Sequence, residues 1–180
     1  MFRQESGKLL SLSDYVIPEE SGKTSLFGAF AISVSPVNAH QDGCSCPACS
    51  CNYENMLERA VRSTLAEAVS IWIDRNVIGS YKELEDKKII KPAAGYSSCP
   101  DHSLKRDLLE MIPKNEELGI SLTESYAMMP ESSICGMIFI HPQATYPEIR
   151  SISSEQYENY LKRRNISETE GRRLLGHLLK

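Results

Sequence analysis

Between Tyr53 and Ile78 the sequence YENMLERAVRSTLAEAVSIWIDRNVI places apolar residues at Met56, Leu57, Val61, Leu65, Ala68, Val69, Trp72 and Ile73. This is the spacing of an amphipathic helix, and it predicts the longest helix in the chain. Upstream, LFGAFAISV from Leu26 to Val34 is β-branched and aromatic enough for a buried strand. The segment before it, through Gly22, reads as loose. Downstream, Ser103 to Met111 predicts a second helix ending near Pro113, and LGISLTESYAMMPESSICGMIFIHP reads as two strands around a tight Pro-Glu-Ser-Ser turn. Met128, Met129 and Met137 are expected as core filler in those strands. Two short helices close the chain. SSEQYENYLKRRN takes Ser153 or Ser154 as its N-cap, and SETEGRRLLGHLLK is capped by Ser167 with Glu170 three residues on. No internal repeat is visible, so the fold class is α+β with a mostly antiparallel sheet.

A chain of 180 residues, 41% of them hydrophobic, suits one domain with a genuine core spanning 1–180. The 20 Lys and Arg are scattered among 24 acids for a net charge of −4, so no basic stripe exists to neutralise a phosphate backbone. Nucleic acid is thereby excluded as the expected partner. No apolar run approaches the roughly 18 residues needed to span a bilayer, and the N-terminus lacks the apolar core of a leader. The expectation is a cytoplasmic protein that does not engage a membrane.

Four of the six cysteines, Cys44, Cys46, Cys49 and Cys51, crowd into CSCPACSC, inside a loop at about 40–52. In a cytosolic chain such density suggests metal or redox chemistry, yet zinc modules usually bring two separated pairs. Three readings stay open: a metal site, a labile disulfide, and unremarkable thiols in a tolerant loop. His102 follows Pro100 by two residues and His141 precedes Pro142, both in loops without an i+4 partner, so neither is expected to bind metal.

Lys91 to His102 reads KPAAGYSSCPDH. Pro92 pushes Lys91 towards an extended conformation, and Ala93, Ala94 and Gly95 leave the backbone bare. A flat ligand could lie against these main-chain amides; the alternative is a Pro/Gly turn that merely reverses the chain.

This stretch resembles the signature Arg-Pro-Ala-Pro-Gly-Tyr-Pro-Ala-Cys-Pro-Asp/Glu-His of the activation domain of cobalamin-dependent methionine synthase. Further segments follow in the family's order: SLSDYVIPEESG with FGAFAISV, LAEA from Leu65 to Ala68, LTESYAMMPESSICGMIF from Leu122 to Phe139, and HPQATY from His141 to Tyr146. The resemblance covers about residues 8–175. It implies a C-shaped α+β domain with a bent sheet, which binds S-adenosylmethionine in a shallow groove and docks over cobalamin held by a partner methyltransferase protein. In that family a flavoprotein returns oxidised cob(II)alamin to cob(I)alamin, and S-adenosylmethionine then methylates the cobalt. Irreversible methylation removes the reduced form and so pulls an uphill reduction forward. Such a domain contributes orientation to a methyltransferase and is not expected to be catalytic alone.

Carried onto this sequence, the resemblance puts Lys91 where an arginine grips the methionine carboxylate, trading a two-pronged guanidinium for a point charge. Ala93 and Gly95 match groove-lining backbone, and Tyr96 matches a tyrosine directed at the corrin face. Glu67 matches an acid near the cationic end of the ligand. Tyr146 matches the first of a tyrosine pair whose second member is Pro147 here. Ser63 and Thr64 replace charged residues, and the family's longer N-terminal segment is absent from this sequence. The alternatives are a corrinoid-docking module with altered or lost S-adenosylmethionine binding, and a metal or redox protein built on CSCPACSC.

Overall fold

The backbone of the fold is a central nine-residue strand that has an antiparallel neighbour on each side. A computed structural model describes residues 1–36, 51–81 and 87–180. In chain order the elements are β1 (Phe27–Ser33), α1 (Cys51–Asn76), β2 (Lys88–Ile90), α2 (Leu104–Glu110), β3 (Ser121–Leu122), β4 (Met128–Met129), β5 (Ser133–His141), α3 (Ser154–Arg164) and α4 (Glu168–Leu175). β5, rich in β-branched and aromatic residues, lies between β1 and β2, and β3 pairs with β4 in a separate ribbon. The α+β class with an antiparallel sheet is thus observed.

Register sorts the side chains of the sheet onto two faces. Phe27 opposite Phe139 and Ala29 opposite Met137 share one face, which packs with Leu12, Tyr15, Ile90 and Leu108. Phe30 opposite Gly136 and Ile32 opposite Ile134 share the other, which receives Ala66, Val69 and Ile73 of α1. Gly136 is needed there. A Cβ on it would come within 2.9 Å of the Phe30 ring and 3.1 Å of the Pro92 carbonyl. Its absence lets the chain after β2 close onto β5, where Met137 N donates to Pro92 O at 3.0 Å.

The N-terminal segment is not loose. A helical turn at Leu12–Tyr15 is held by a Ser11/Asp14 capping box, and Leu12 and Tyr15 are buried in the core. Tyr15 Oη and Thr145 Oγ1 lie 3.0 Å apart, tying this turn to the loop after β5. Ser153 caps α3 through Gln156 N, and Ser167 caps α4 through Glu170 N, as their sequences predict. Both helices pack with Phe2 and Ile149 in a second cluster around Tyr157, Tyr160, Leu174 and Leu175.

Two further expectations are corrected. The strands flanking Pro-Glu-Ser-Ser do not pair as a hairpin: β4 returns to β3, while β5 finds β1 and β2. Of the three methionines only Met137 is core; Met128 is half-buried and Met129 exposed. On α1 the predicted apolar set splits: Val69 and Ile73 turn inward onto the sheet and the rest do not. Met56, Leu57, Val61, Leu65 and Trp72 are exposed, and small Ala66 and Ser70 are buried because Phe30, Ile134 and Ile138 already fill the space above the sheet. The CSCPACSC loop lies outside the described residues, apart from the backbone of Cys51 in α1.

Candidate functional site

The site is built where the chain leaving β2 meets α1 and the loop after β5. Lys91 follows β2 directly, and its backbone N–H donates to Tyr146 Oη at 2.9 Å. The Lys91 side chain is 15% exposed and turns onto α1, where the ammonium donates to Ser70 O at 3.0 Å and Ser70 Oγ at 2.7 Å. It also pairs with Asp74 at 2.8 Å and lies 5.2 Å from the centre of the Phe30 ring. Its positive charge is therefore well supplied with partners. Glu67 is exposed on α1, one turn before Ser70, so Glu67, Ser70 and Asp74 follow one another along the flank of the helix that meets Lys91.

Beyond Lys91 the chain is thin and sharply turned. Pro92 and Ala94 are buried while Ala93 and Gly95 are half-exposed. Gly95 N donates to Cys99 O at 2.7 Å, and Cys99 N returns to Tyr96 O at 2.8 Å, closing a tight loop. Gly95 has φ +96°, and a Cβ there would lie 2.3 to 2.7 Å from the His102 ring. Among the described residues the N–H groups of Ala93 and Ala94 carry no hydrogen bond. The loop thrusts Tyr96 outward, 70% exposed.

Lys91 and Tyr146 thus meet at the start of this loop, with Ala93 and Gly95 on its partly open side and Tyr96 at its tip, while Glu67 stays exposed one turn before Ser70 and makes no hydrogen bond or ion pair with them among the described residues. Tyr146 is 57% exposed, and its neighbour Pro147 is fully buried. Ser70 and Asp74 are the residues that sequence reasoning missed. Their signal is the spacing Glu67-x-x-Ser70-x-x-x-Asp74 on a predicted helix, which aligns three polar groups on one flank.

The back of the loop is locked by a buried acid. Asp101, 1% exposed, accepts from Tyr160 Oη at 2.6 Å and from Ser103 N at 2.7 Å. Burial, reinforced by Asp101, pushes the Tyr160 hydroxyl far above its ordinary range. The same two causes raise the Cys99 thiol to about 12, so it stays protonated and serves packing. Burial lowers His102, and the Lys105 ammonium, 3.1 Å from His102 Nδ1, lowers it further. His141 Nδ1 accepts from Gln143 N at 3.1 Å.

The gathered residues form an open surface. A cleft of about 390 Å³ exists elsewhere, between the N-terminal segment and α3, and is lined by Arg3, Gln4, Gln156, Asn159 and Arg163 among others. It includes none of Glu67, Lys91, Ala93, Gly95, Tyr96 or Tyr146. Among the described residues no group of three His, Cys, Asp or Glu side chains could hold a metal ion, and no helix is long and apolar enough to cross a membrane.

Comparison with known proteins places the fold and the family. A solved structure described as the MetH reactivation domain bound to AdoHcy superposes with a TM-score of 0.79 at 28% identity, and the match covers 99% of this chain. This chain spans 60% of the length of that one. Residues 1–165 match the sequence model of the vitamin B12-dependent methionine synthase activation domain, a span that contains the whole Lys91–Tyr146 site. By fold and by sequence, the chain belongs to the family of vitamin B12-dependent methionine synthase activation domains.

Proposed function

We propose that residues 1–180 act as one S-adenosylmethionine-binding reactivation unit for a cobalamin-dependent methyltransferase in the cytoplasm. The observation that carries this reading is the meeting of Lys91 and Tyr146 at the start of the bare Ala93–Gly95 backbone, in a chain with a solved relative bound to AdoHcy. The N–H groups of Ala93 and Ala94 offer donors to the adenosyl or methionyl part of the ligand. Glu67 is placed for its cationic end. Lys91 takes the carboxylate by exchanging its contact with Asp74, which is the more exposed partner. Tyr96, 70% exposed, projects away from the fold towards the corrin of a partner protein, and Pro147, buried next to Tyr146 in sequence, takes the place of the second ring. S-adenosylmethionine supplies the methyl group and leaves as the neutral thioether, while a flavoprotein supplies the electron that makes the cobalt nucleophilic. The contribution of this chain is orientation.

A second reading, a corrinoid-docking module that has changed or lost its small ligand, draws on the ammonium of Lys91 already having Ser70 and Asp74 as partners. Calorimetric titration of the full chain with S-adenosylmethionine and S-adenosylhomocysteine separates the two. Saturable binding that Lys91→Ala weakens on the order of 10-fold or more supports the first reading, since a charged hydrogen bond contributes about 1.5–3 kcal/mol. No heat with either ligand overturns it.

Docking is tested at Tyr96. An exposed ring contributes little to folding, so Tyr96→Ala should shift stability by no more than about 0.5 kcal/mol. Methyl transfer from labelled S-adenosylmethionine to reduced cobalamin on a partner protein should fall on the order of 100-fold, the cost of about 1 Å of misplacement. Unchanged transfer would remove Tyr96 from the docking surface.

A further inference from the structure

α1 carries an apolar stripe that the fold leaves in solvent. Tyr53, Leu57, Val61, Leu65 and Trp72 recur at helical spacing, and each is at least half exposed, as are Met56 and Ile71. The stripe runs about 30 Å along the helix. Leaving out Met56, which lies on the opposite side of the helix from Leu65, six large side chains this open present roughly 100 Å² apiece, on the order of 600 Å² on one copy, at the top of the range of patches usual on monomers and most of the about 800 Å² per partner of a standard interface. Beside the stripe Glu58 pairs with Arg62 and Arg59 pairs with Glu131, while Glu67 lies on the flank that turns towards Ser70 and Asp74. Within the stripe stand one acid, Glu54, near its start and one base, Arg75, near its end, and neither has an ion pair among the described residues.

We infer that this face joins a second copy of the chain through an antiparallel, two-fold pairing of α1 with α1. A two-fold axis between Thr64 and Leu65 places Leu57 against the partner's Trp72, Val61 against the partner's Ala68 and Thr64 against the partner's Leu65. The same register brings Glu54 beside the partner's Arg75, and by symmetry does so twice, so one operation answers both charges that lack an ion pair among the described residues. Small residues at Ala60, Thr64 and Ala68 let the two helices approach closely in the middle, with the larger side chains packing towards the ends. A parallel pairing would instead set Glu54 against the partner's Glu54 and Arg75 against the partner's Arg75. Charge complementarity therefore selects both the occupant and its direction.

Sedimentation equilibrium of the full chain should give twice the monomer mass of 20.2 kDa. Trp72 is the sole tryptophan, so its emission should shift to the red as the dimer is diluted into monomer. Leu65→Glu, beside the two-fold axis, should yield a folded monomer with an unchanged circular dichroism spectrum. Glu54→Arg and Arg75→Glu should each weaken the dimer at least several-fold, and the two together should restore it. A wild-type protein that stays monomeric at about 100 μM, far above the Kd of a standard interface, overturns the inference. So does a dimer that the paired charge reversal fails to rescue. If Leu65→Glu unfolds the chain, the stripe has its occupant within the same chain, and the inference is likewise wrong.

Discussion

Gly95 and His102 are seven residues apart in KPAAGYSSCPDH, yet they occupy what is almost a single space. The imidazole fills the volume in which any other side chain at position 95 would begin, and the backbone there has φ +96°. Gly95→Ala is therefore unfavourable twice, through conformation and through contact, and should lower unfolding free energy by about 1–3 kcal/mol in denaturant titrations. His102→Ala in the same chain should return the contact part and leave the conformational part. Full recovery would show that φ at this position is not strained. The imidazole also sets a pH dependence, because burial and Lys105 hold its pKa below the unfolded value of about 6.5. Below that value the unfolded chain binds a proton that the native chain resists, so this contribution is complete above about pH 6.5 and is lost as pH falls. The fall in melting temperature between about pH 7.5 and pH 5 should be smaller for His102→Gln than for the unsubstituted protein. This pairing of a glycine with a ring was partly legible in the sequence: the motif marks both residues, but only the turn that returns Cys99 to Gly95 shows that one makes room for the other.

At the scale of elements, legibility followed the range of the interaction. Ser153 and Ser167 act within three residues, so the caps of α3 and α4 could be read directly. β5 could be read as a strand, but its partners β1 and β2 lie far off in the chain, and the local turn signal pointed to β4 instead. Periodicity predicted α1 as a helix with an apolar stripe. It could not say that the sheet would accept the face of Ala66, Val69 and Ile73, with Ser70 at its edge, and leave Leu57, Val61 and Leu65 outside. That choice brings Ser70 and Asp74 to Lys91, so the misread face of α1 and the two missed site residues have one cause. The clamp also ties α1 to the sheet edge. Lys91→Met should cost about 1–2 kcal/mol, discounted from a fully buried charge contact because Asp74 is 43% exposed and water can replace part of the lost pairing. Hydrogen exchange should place the loosening in the C-terminal half of α1. Uniform loss of protection across all elements would mean that Lys91 supports the fold as a whole.

Across the whole molecule two apolar clusters sit on either side of the segment Cys99-Pro100-Asp101. One lies under the sheet with Leu12, Met137 and Cys99; the other gathers Phe2, α3 and α4. Asp101 joins them, since one carboxylate oxygen fixes the start of α2 through Ser103 and the other is held by Tyr160 of α3. At 1% exposure neither oxygen can turn to bulk water. Tyr160→Phe keeps the ring stacked beside Phe2, whose centroid is 4.4 Å away, and removes only the donor. The orphaned carboxylate oxygen should then cost about 1–3 kcal/mol. The location of the loss is the sharper expectation. The loop that ends in Asp101 also carries Gly95 and Tyr96, and Ile149 N hydrogen-bonds to Ser97 O at 2.9 Å. Loosening Asp101 should therefore raise amide exchange at Gly95, Cys99 and Ile149 before it does so in β1, and should weaken S-adenosylmethionine binding although Tyr160 lies in another cluster. Tyr160→Phe/Asp101→Asn tests the cause, because a neutral amide at position 101 removes the stranded charge. Exchange in the loop should fall back towards the unsubstituted level, whereas a loss that persists in the double variant would assign the role of Tyr160 to packing and not to Asp101.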